Sequence, residues 1–317
     1  MKTLYATLGV FLALFAAASV AYPGFFSLRV ALNLFTDNAF LGVAAIGLTF
    51  VILSGGIDLS IGAMIGCSGI LCATLLEKLH WSAVPAVLAV LTFGFCIGAM
   101  HGALIAVFRL PPFLVTLAGL FVCRGIALSI SREALQVSDP TFTRISEMSV
   151  RLGKLGTVTA PAAVFVFAVG IAAYVLKYSS FGRRVYALGG SENSSSLMGL
   201  TVTRTKFWIY VLSGVCSAVG GLVFLLYTAS GNAVAGTGLE LDAIAAVVIG
   251  GATLTGGYGS AVGTMLGVLT LGTIQTIITF DGRLSSWWTK IFVGCLFLAF
   301  VLARRIIHKE PEKSFSP

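Results

Sequence analysis

Residues 177–206 read KYSSFGRRVYALGGSENSSSLMGLTVTRTK, a polar island between two apolar stretches, Thr159 to Leu176 and Phe207 to Thr228. The island holds Lys177, Arg183, Arg184, Arg204 and Lys206 against the single acid Glu192. Each flanking run is long enough to cross a bilayer, so a concentrated basic segment sits in water between membrane helices. Such a segment suits docking of a soluble partner.

The rest of the chain supports a membrane setting. Hydrophobic residues make up 57% of the 317 positions and charged residues 10%, against roughly 25% charged in a soluble domain. Crossing a ~30 Å hydrocarbon core takes about 20 helical residues, with every backbone group satisfied internally. The apolar runs are too long for barrel strands and lack strict alternation. The expected fold class is therefore all-α, a polytopic transmembrane helical bundle forming one domain over residues 1–317, with 178–206 a cytoplasmic loop within it. About ten spans are expected: Leu4 to Ala21, Ala39 to Leu53, Ile61 to Leu76, Val84 to Phe108, Phe113 to Ser131, Thr159 to Leu176, Phe207 to Thr228, Leu241 to Leu254, Ala261 to Thr279 and Trp288 to Leu302. The second and eighth are short and run into Gly-Gly pairs, so either is also readable as a broken or re-entrant helix. The first segment, with Lys2 and Ser19-Val20-Ala21, also fits a cleavable signal peptide; the many later spans and Pro23 favour an uncleaved helix.

An even number of spans puts both termini on one side. Placing that side in the cytoplasm collects Lys2, Arg109, the island cations, Arg304, Arg305, Lys309 and Lys313 inside. The outer Arg132, Arg144, Arg151 and Lys154 are nearly neutralised by Glu133, Asp139 and Glu147. The net charge of +8 then reads as membrane orientation and not as nucleic-acid binding. Cys67, Cys72, Cys96, Cys123, Cys216 and Cys295 lie in apolar spans with no C-x-x-C pair and read as packing residues.

A repeat stands out. Residues 54–66, SGGIDLSIGAMIG, align without a gap on residues 255–267, TGGYGSAVGTMLG, so that Gly55, Gly56, Gly62, Met64 and Gly66 match Gly256, Gly257, Gly263, Met265 and Gly267. Each copy joins a short apolar span to the next, and both run in the same direction. One reading is an ordinary Gly-rich membrane turn. The other is a duplicated helix-break-helix unit lining a central path, where unwound backbone meets substrate. Small residues at close-packing spacing, as in Gly98 and Gly102, let helices approach.

No catalytic constellation is present. His80, His101 and His308 are scattered, and neither G-x-S-x-G nor H-E-x-x-H occurs. The glycine cluster at 256–263 lacks the lysine of a phosphate-binding loop, so any ATP would be hydrolysed by another chain. Ionisable residues at membrane depth are few: Asp58, His101, Arg124 and Asp242. A charge at mid-span costs at least about 2.5 kcal/mol, so Arg124 is expected to have a partner or to face a wet cavity. Asp58 is readable as that partner or as the cap of the helix starting near Ile61, with capping favoured. Gln275 and Thr276 offer neutral hydrogen-bonding groups that suit sugar hydroxyls or plain helix packing. Tyr22, Trp81, Trp287 and Trp288 read as interfacial belt residues.

Three stretches together resemble the permease subunits of bacterial ABC importers for ribose and related monosaccharides: LSGGIDLSIGAMIG from Leu53, FGRRVYALGGSENSSSLMGL from Phe181 and LDAIAAVVIGGATLTGGYGSAVGT from Leu241. Within that family, TDNAFLG from Thr36 and FDGRLSSWWTK from Phe280 look most like a permease of galactofuranose importers. The resemblance implies a permease pair (two copies or a paralogue), two ATPase domains carrying ATP and magnesium on a partner ATPase, a periplasmic sugar-binding protein, an inner-membrane location, and no cofactor in this chain. It also implies a short coupling helix near Glu192 to Gly199, preceded by Gly189 and Gly190. Family members often carry Asn-Glu and paired alanines there, whereas Ser191, Asn193, Ser194, Ser195 and Ser196 here weaken intrinsic helicity. Arg183, Arg184, Glu192, Leu197 and Met198 are then the candidate ATPase contacts, and Gly55, Gly56, Asp58, Arg124, Gly256, Gly257 and Gln275 the candidate sugar path. Two other readings stay open. An ion-coupled secondary transporter would use Asp58 and Arg124 as a coupling pair but leaves the island unexplained. A non-transporting scaffold would keep the island but has no need of the repeat.

Overall fold

The computed structural model describes residues 2–151, 157–283 and 287–307. Lys154, Lys309 and Lys313, invoked above for orientation, lie outside these residues, as do positions 284–286 of the Phe280 stretch. The described chain is a multi-pass helical membrane protein with two very short strand pairs. In order it forms α1 (Lys2–Ala21), α2 (Leu28–Asp37), α3 (Ala39–Leu53), α4 (Ile61–Glu77), α5 (Ala83–Ala106), α6 (Pro112–Ile130) and α7 (Pro140–Glu147). These are followed by α8 (Ala160–Tyr178), α9 (Ser180–Gly190), α10 (Glu192–Leu197), α11 (Val202–Thr228), α12 (Leu239–Ile249), α13 (Ala261–Asp281) and α14 (Trp287–Ile307).

Six helices, α1, α5, α6, α8, α11 and α13, are long and apolar enough to cross a membrane. The second expected span is broken at its start: α2 and α3 meet at a 58° bend, and only as a pair do they reach membrane length. The eighth is shorter than the sequence suggests, because α12 ends at Ile249 and Gly251 turns left-handed (φ +94°) before Leu254 is reached. α4 and the 287–302 part of α14 are apolar but shorter than a full crossing.

The polar island is helical over most of its length. Ser179 caps α9 by accepting the Gly182 amide at 3.0 Å, Ser191 caps α10 by accepting the Ser194 amide at 3.2 Å, and α11 starts at Val202, inside the island. Serine lowers helicity within a helix but is among the best N-caps, so the same residues start helices here. At the opposite end of the bundle, α7 is a helix the sequence reading passed over, although its Asp139 cap and Pro140 at the first helical position were legible.

Packing turns on α11, which lies against α3, α4 and α5. Gly94, Gly98 and Gly102 form one stripe of α5 at four-residue spacing, set on the α11 backbone. A Cβ at Gly98 would come within 2.6 Å of the Tyr210 carbonyl oxygen, and one at Gly102 within 2.7 Å of that of Phe207. Among apolar lipid tails helices gain little by hiding apolar surface, so close backbone approach carries the association. Ala in place of helical Gly gains about 1 kcal/mol of propensity in an open position, whereas overpacking costs about 1–3 kcal/mol. Gly98→Ala should therefore lower the unfolding midpoint in detergent, while Gly170→Ala, with nothing within 4 Å of its added carbon, should leave it unchanged or raise it.

Candidate functional site

The two Gly-Gly breaks meet each other, and the island meets both. The Gly257 amide donates to the Leu53 carbonyl at 2.8 Å, stitching the end of α3 to the turn between α12 and α13. α3 and the turn after α12 both finish at this junction. The helices of the two repeat copies are also joined at depth, where the Thr49 and Thr264 hydroxyls lie 2.7 Å apart and buried. The copies are not equivalent in conformation, for Gly256 and Gly257 both have positive φ (+87° and +77°) while only Gly55 of the first pair does (+82°).

Gly189 of α9 fills the remaining side. A Cβ there would overlap the Leu53 carbonyl oxygen and the Gly257 amide nitrogen, so only glycine lets α9 close onto both breaks at once. Tyr186, one turn earlier on α9, donates its hydroxyl to the Gly259 carbonyl at 2.8 Å. Burial pushes the Tyr186 phenol pKa up, so the hydroxyl keeps its proton and stays a donor well above neutral pH. Val185 and Leu188 bury their side chains on the same face of α9.

Beyond Gly190 the chain turns outward into α10. Its end is a Schellman closure: Gly199 is left-handed (φ +77°), Leu200 donates to the Ser195 carbonyl at 3.1 Å and Gly199 to that of Ser196 at 2.9 Å. The expected helix over Glu192 to Gly199 is thus observed as α10, capped by Met198 and Gly199. Leu197 is 90% exposed and Met198 69% exposed. Arg183 and Arg184 are exposed on α9, and Arg183 is held locally by the Ser180 hydroxyl at 3.0 Å. Glu192 pairs with Lys206 at 2.6 Å, tying α10 to the first turns of α11; an exposed pair of this kind contributes at most about 1 kcal/mol.

Arg124 and Asp58 do not meet. The Arg124 guanidinium donates through Nη1 to the Ala233 carbonyl at 2.5 Å and the Ala235 carbonyl at 2.8 Å. Both belong to a non-helical segment, residues 232–238, that enters between α11 and α12 with Gly236 and Gly238 left-handed. Arg124 is therefore partnered by backbone rather than by a carboxylate. Asp58 does not cap α4 either: the N-cap is Ser60, which makes no side-chain cap bond. Asp58 is 1% exposed and accepts from the Ser60 amide (2.9 Å), the Ser60 hydroxyl (2.6 Å) and the Ser213 hydroxyl of α11 (2.6 Å). It forms a turn before the helix and a tether to α11. Asp242 pairs with Lys290 at 2.5 Å, joining α12 to α14. Gln275 is exposed on α13, bonded by neither Arg124 nor Asp58. His101 is buried against Gly119, and its Nε2 has no partner among the described residues.

The arrangement can carry motion. A displacement of α10 passes through Ser191 to α9, and through Gly189 to both breaks, with no flexible side chain between. Sequence reasoning missed the 232–238 segment and the roles of Tyr186 and Ser213; the glycines at 231, 236 and 238 were the available sign of the first. A cavity of about 410 Å³ lies at the other end of the bundle, among Gln136, Ser138, Phe142, Glu147 and Leu225, away from these contacts. Gly189→Ala should pry α9 off the junction and raise amide exchange over residues 250–260, read by hydrogen–deuterium exchange. Gly190→Ala, with nothing within 4 Å of its added carbon, should leave exchange at the wild-type rate.

Comparison with known proteins agrees with this architecture. Residues 30–301 match the family described as branched-chain amino acid transport system / permease component. The chain is 43% identical to the inner membrane ABC transporter permease protein YjfF of Escherichia coli K12, over 94% of this chain and 90% of that one. It is 38% identical to the ribose import permease protein RbsC of Bacillus subtilis, over 94% and 92%. It is 35% identical to the fructose import permease protein FruG of Bifidobacterium longum, over 87% and 82%. No solved structure matches it. A match over most of the length, on a helical bundle with this repeat and this island, means that the chain belongs to that permease family, among its ribose-type sugar ABC importer permeases.

Proposed function

We propose that this chain is the membrane-crossing subunit of an ATP-driven monosaccharide importer of the bacterial inner membrane, with a galactofuranose-like sugar as cargo. The observation that carries this reading is the seating of Gly189, on the island, against both Gly-Gly breaks. A soluble motor that moves α10 thereby moves the ends of α3 and α12 and the start of α13 together. The motor is a partner ATPase that binds ATP and magnesium; this chain supplies the path and the lever. Closure of the ATPase pair shifts the population from outward- to inward-facing states, and a second copy or a paralogue completes the path.

The island then faces the cytoplasm with both termini. The count of ten spans follows if α2 with α3, α4, α12 with the 232–238 segment, and α14 each cross in shortened form. Sugar arrives from a periplasmic binding protein at the opposite end. The two stretches that resemble galactofuranose permeases support that delivery face: Asp37 accepts from the Tyr227 hydroxyl at 3.3 Å near the end of α11, and Asp281 from that of Tyr22 at 3.2 Å. Both lie away from the junction. Similarity to permeases named for ribose and fructose supports a sugar over the amino acids in the family's description.

Co-purification should recover an ATPase subunit and a sugar-binding protein. The assembled complex in vesicles should take up labelled galactofuranose in preference to ribose, fructose and leucine when ATP is present on the ATPase side. Preference for leucine would overturn the sugar reading, and uptake by this chain alone under an ion gradient would favour a secondary transporter.

Leu197 and Met198 are exposed apolar anchors at the tip of α10, and such anchors carry most of an interface's energy while rim charges tune association. Met198→Asp should release the ATPase or abolish sugar-stimulated hydrolysis. Arg183→Ala should cost less, and its cost, being that of a lost rim charge, should depend on salt and shrink as ionic strength rises. Normal assembly and uptake by the Met198→Asp chain would move the docking surface elsewhere.

A further inference from the structure

The non-helical segment 232–238 lies along α4, and two charged side chains hold it there. Gly62 and Gly66 are one turn apart on α4, about 6 Å along its axis. At Gly66 an added Cβ would stand 2.6 Å from the Ala235 carbonyl oxygen and 3.0 Å from Arg124 Nη1. At Gly62 it would overlap the Gly236 carbonyl oxygen and Glu240 Oε2. A guanidinium and a carboxylate are therefore stacked on one glycine face of α4, a turn apart, without forming an ion pair. Arg124 spends Nη1 on the two carbonyls. Glu240 uses Oε1 to accept the Gly238 amide at 3.2 Å, in the first turn of α12, while its buried Oε2 has no hydrogen-bond partner. The Gly236 carbonyl oxygen, another acceptor, sits beside Oε2 against the same glycine of α4, Gly62.

Leaving a buried carboxylate oxygen without a donor is costly, and such an oxygen calls for a physical reason. We infer that Glu240 is a positioning residue for transport: it forms an ion pair with Arg124 when segment 232–238 lifts from α4, and so stabilises the alternative state of the path. In the state described here, Arg124 clasps the segment and Glu240 is left short of a partner. When the segment withdraws, Arg124 loses its carbonyls and the nearest compensating group is the free oxygen of Glu240. The two arrangements make a bistable element, each retaining part of what the other gives up. The inference rests on the transport reading above, because it assigns the segment a movement within that path.

Glu240→Gln tests it with a signature that a purely structural residue lacks. The amide oxygen keeps the Gly238 bond, and the amide NH2 in place of Oε2 donates to the Gly236 carbonyl. In the purified chain the variant should raise the unfolding midpoint by about 2 °C or more and slow amide exchange over residues 232–240. In vesicles with the ATPase and binding protein it should lower uptake by roughly tenfold. In an Arg124→Gln background the same change should alter uptake little, because the pair acts as a unit. A Glu240→Gln chain that matches wild type in midpoint, exchange and uptake would overturn the inference. Additive losses in the double variant would overturn the pairing. A wild-type complex that moves no sugar would instead count against the transport reading, and the midpoint and exchange of the purified variant would still decide whether Glu240 is short of a partner.

Discussion

Backbone polar groups have no water to turn to at membrane depth, and every departure from helix in this protein must be satisfied from within. The chain breaks its helices at 54–60, at 232–238 and at 250–260, and each break has a dedicated answer. The Leu53 carbonyl receives the Gly257 amide, the Ala233 and Ala235 carbonyls receive Arg124, and the turn before α4 is closed by Asp58 on the Ser60 amide. The few ionisable groups within the apolar bundle are largely accounted for by this requirement. Asp58 in turn binds Ser213 on α11, so one of the breaks is tied to the central helix.

Glycine supplies the second half of the construction. Where α5 lies on α11, where segment 232–238 lies on α4, and where α9 lies on the two breaks, the contact is backbone on backbone. Such contacts leave no soft side chain to absorb a displacement. They give the bundle its association in lipid, where apolar burial contributes little, and they make relative movement of one element a movement of its neighbour. The position of Gly189 between Leu53 and Gly257 is the plainest case, since a single added carbon has nowhere to go.

Under the proposed function, energy coupling does not require long-range signalling. From the exposed tip of α10 to the break at Gly257 the route is one short helix, one capping serine and one glycine contact. Tyr186, kept protonated by burial, adds a hydrogen bond from the same helix to the same turn. Beside segment 232–238, the buried Oε2 of Glu240 has no hydrogen-bond partner among the described residues, and the second arrangement inferred above would give it one.

Sequence alone determined the class and its main parts. The length of the apolar runs dictated membrane helices, the gapless match of 54–66 with 255–267 exposed the repeat, and the excess of cations in 177–206 marked a basic polar segment between two apolar runs. Those signals are local: they depend on run length, spacing and composition, which one strand of text contains. Resemblance in three ordered stretches then gave the family. What sequence left open was every relation between distant residues. It could not settle the role of Asp58, readable as a partner of Arg124 or as a helix cap, because only packing brings Ser213 to 2.6 Å. It took Ser191 and the serines after it as helix-weakening, while the place of Ser191 ahead of the first turn of α10 made it a cap. Nor could it show that Gly55, Gly189 and Gly256, separated by most of the chain, meet at one junction. That convergence is decided by how α3, α9 and α12 pack, and the physical reason is that only at an all-glycine contact do three backbones come close enough to satisfy one another without water.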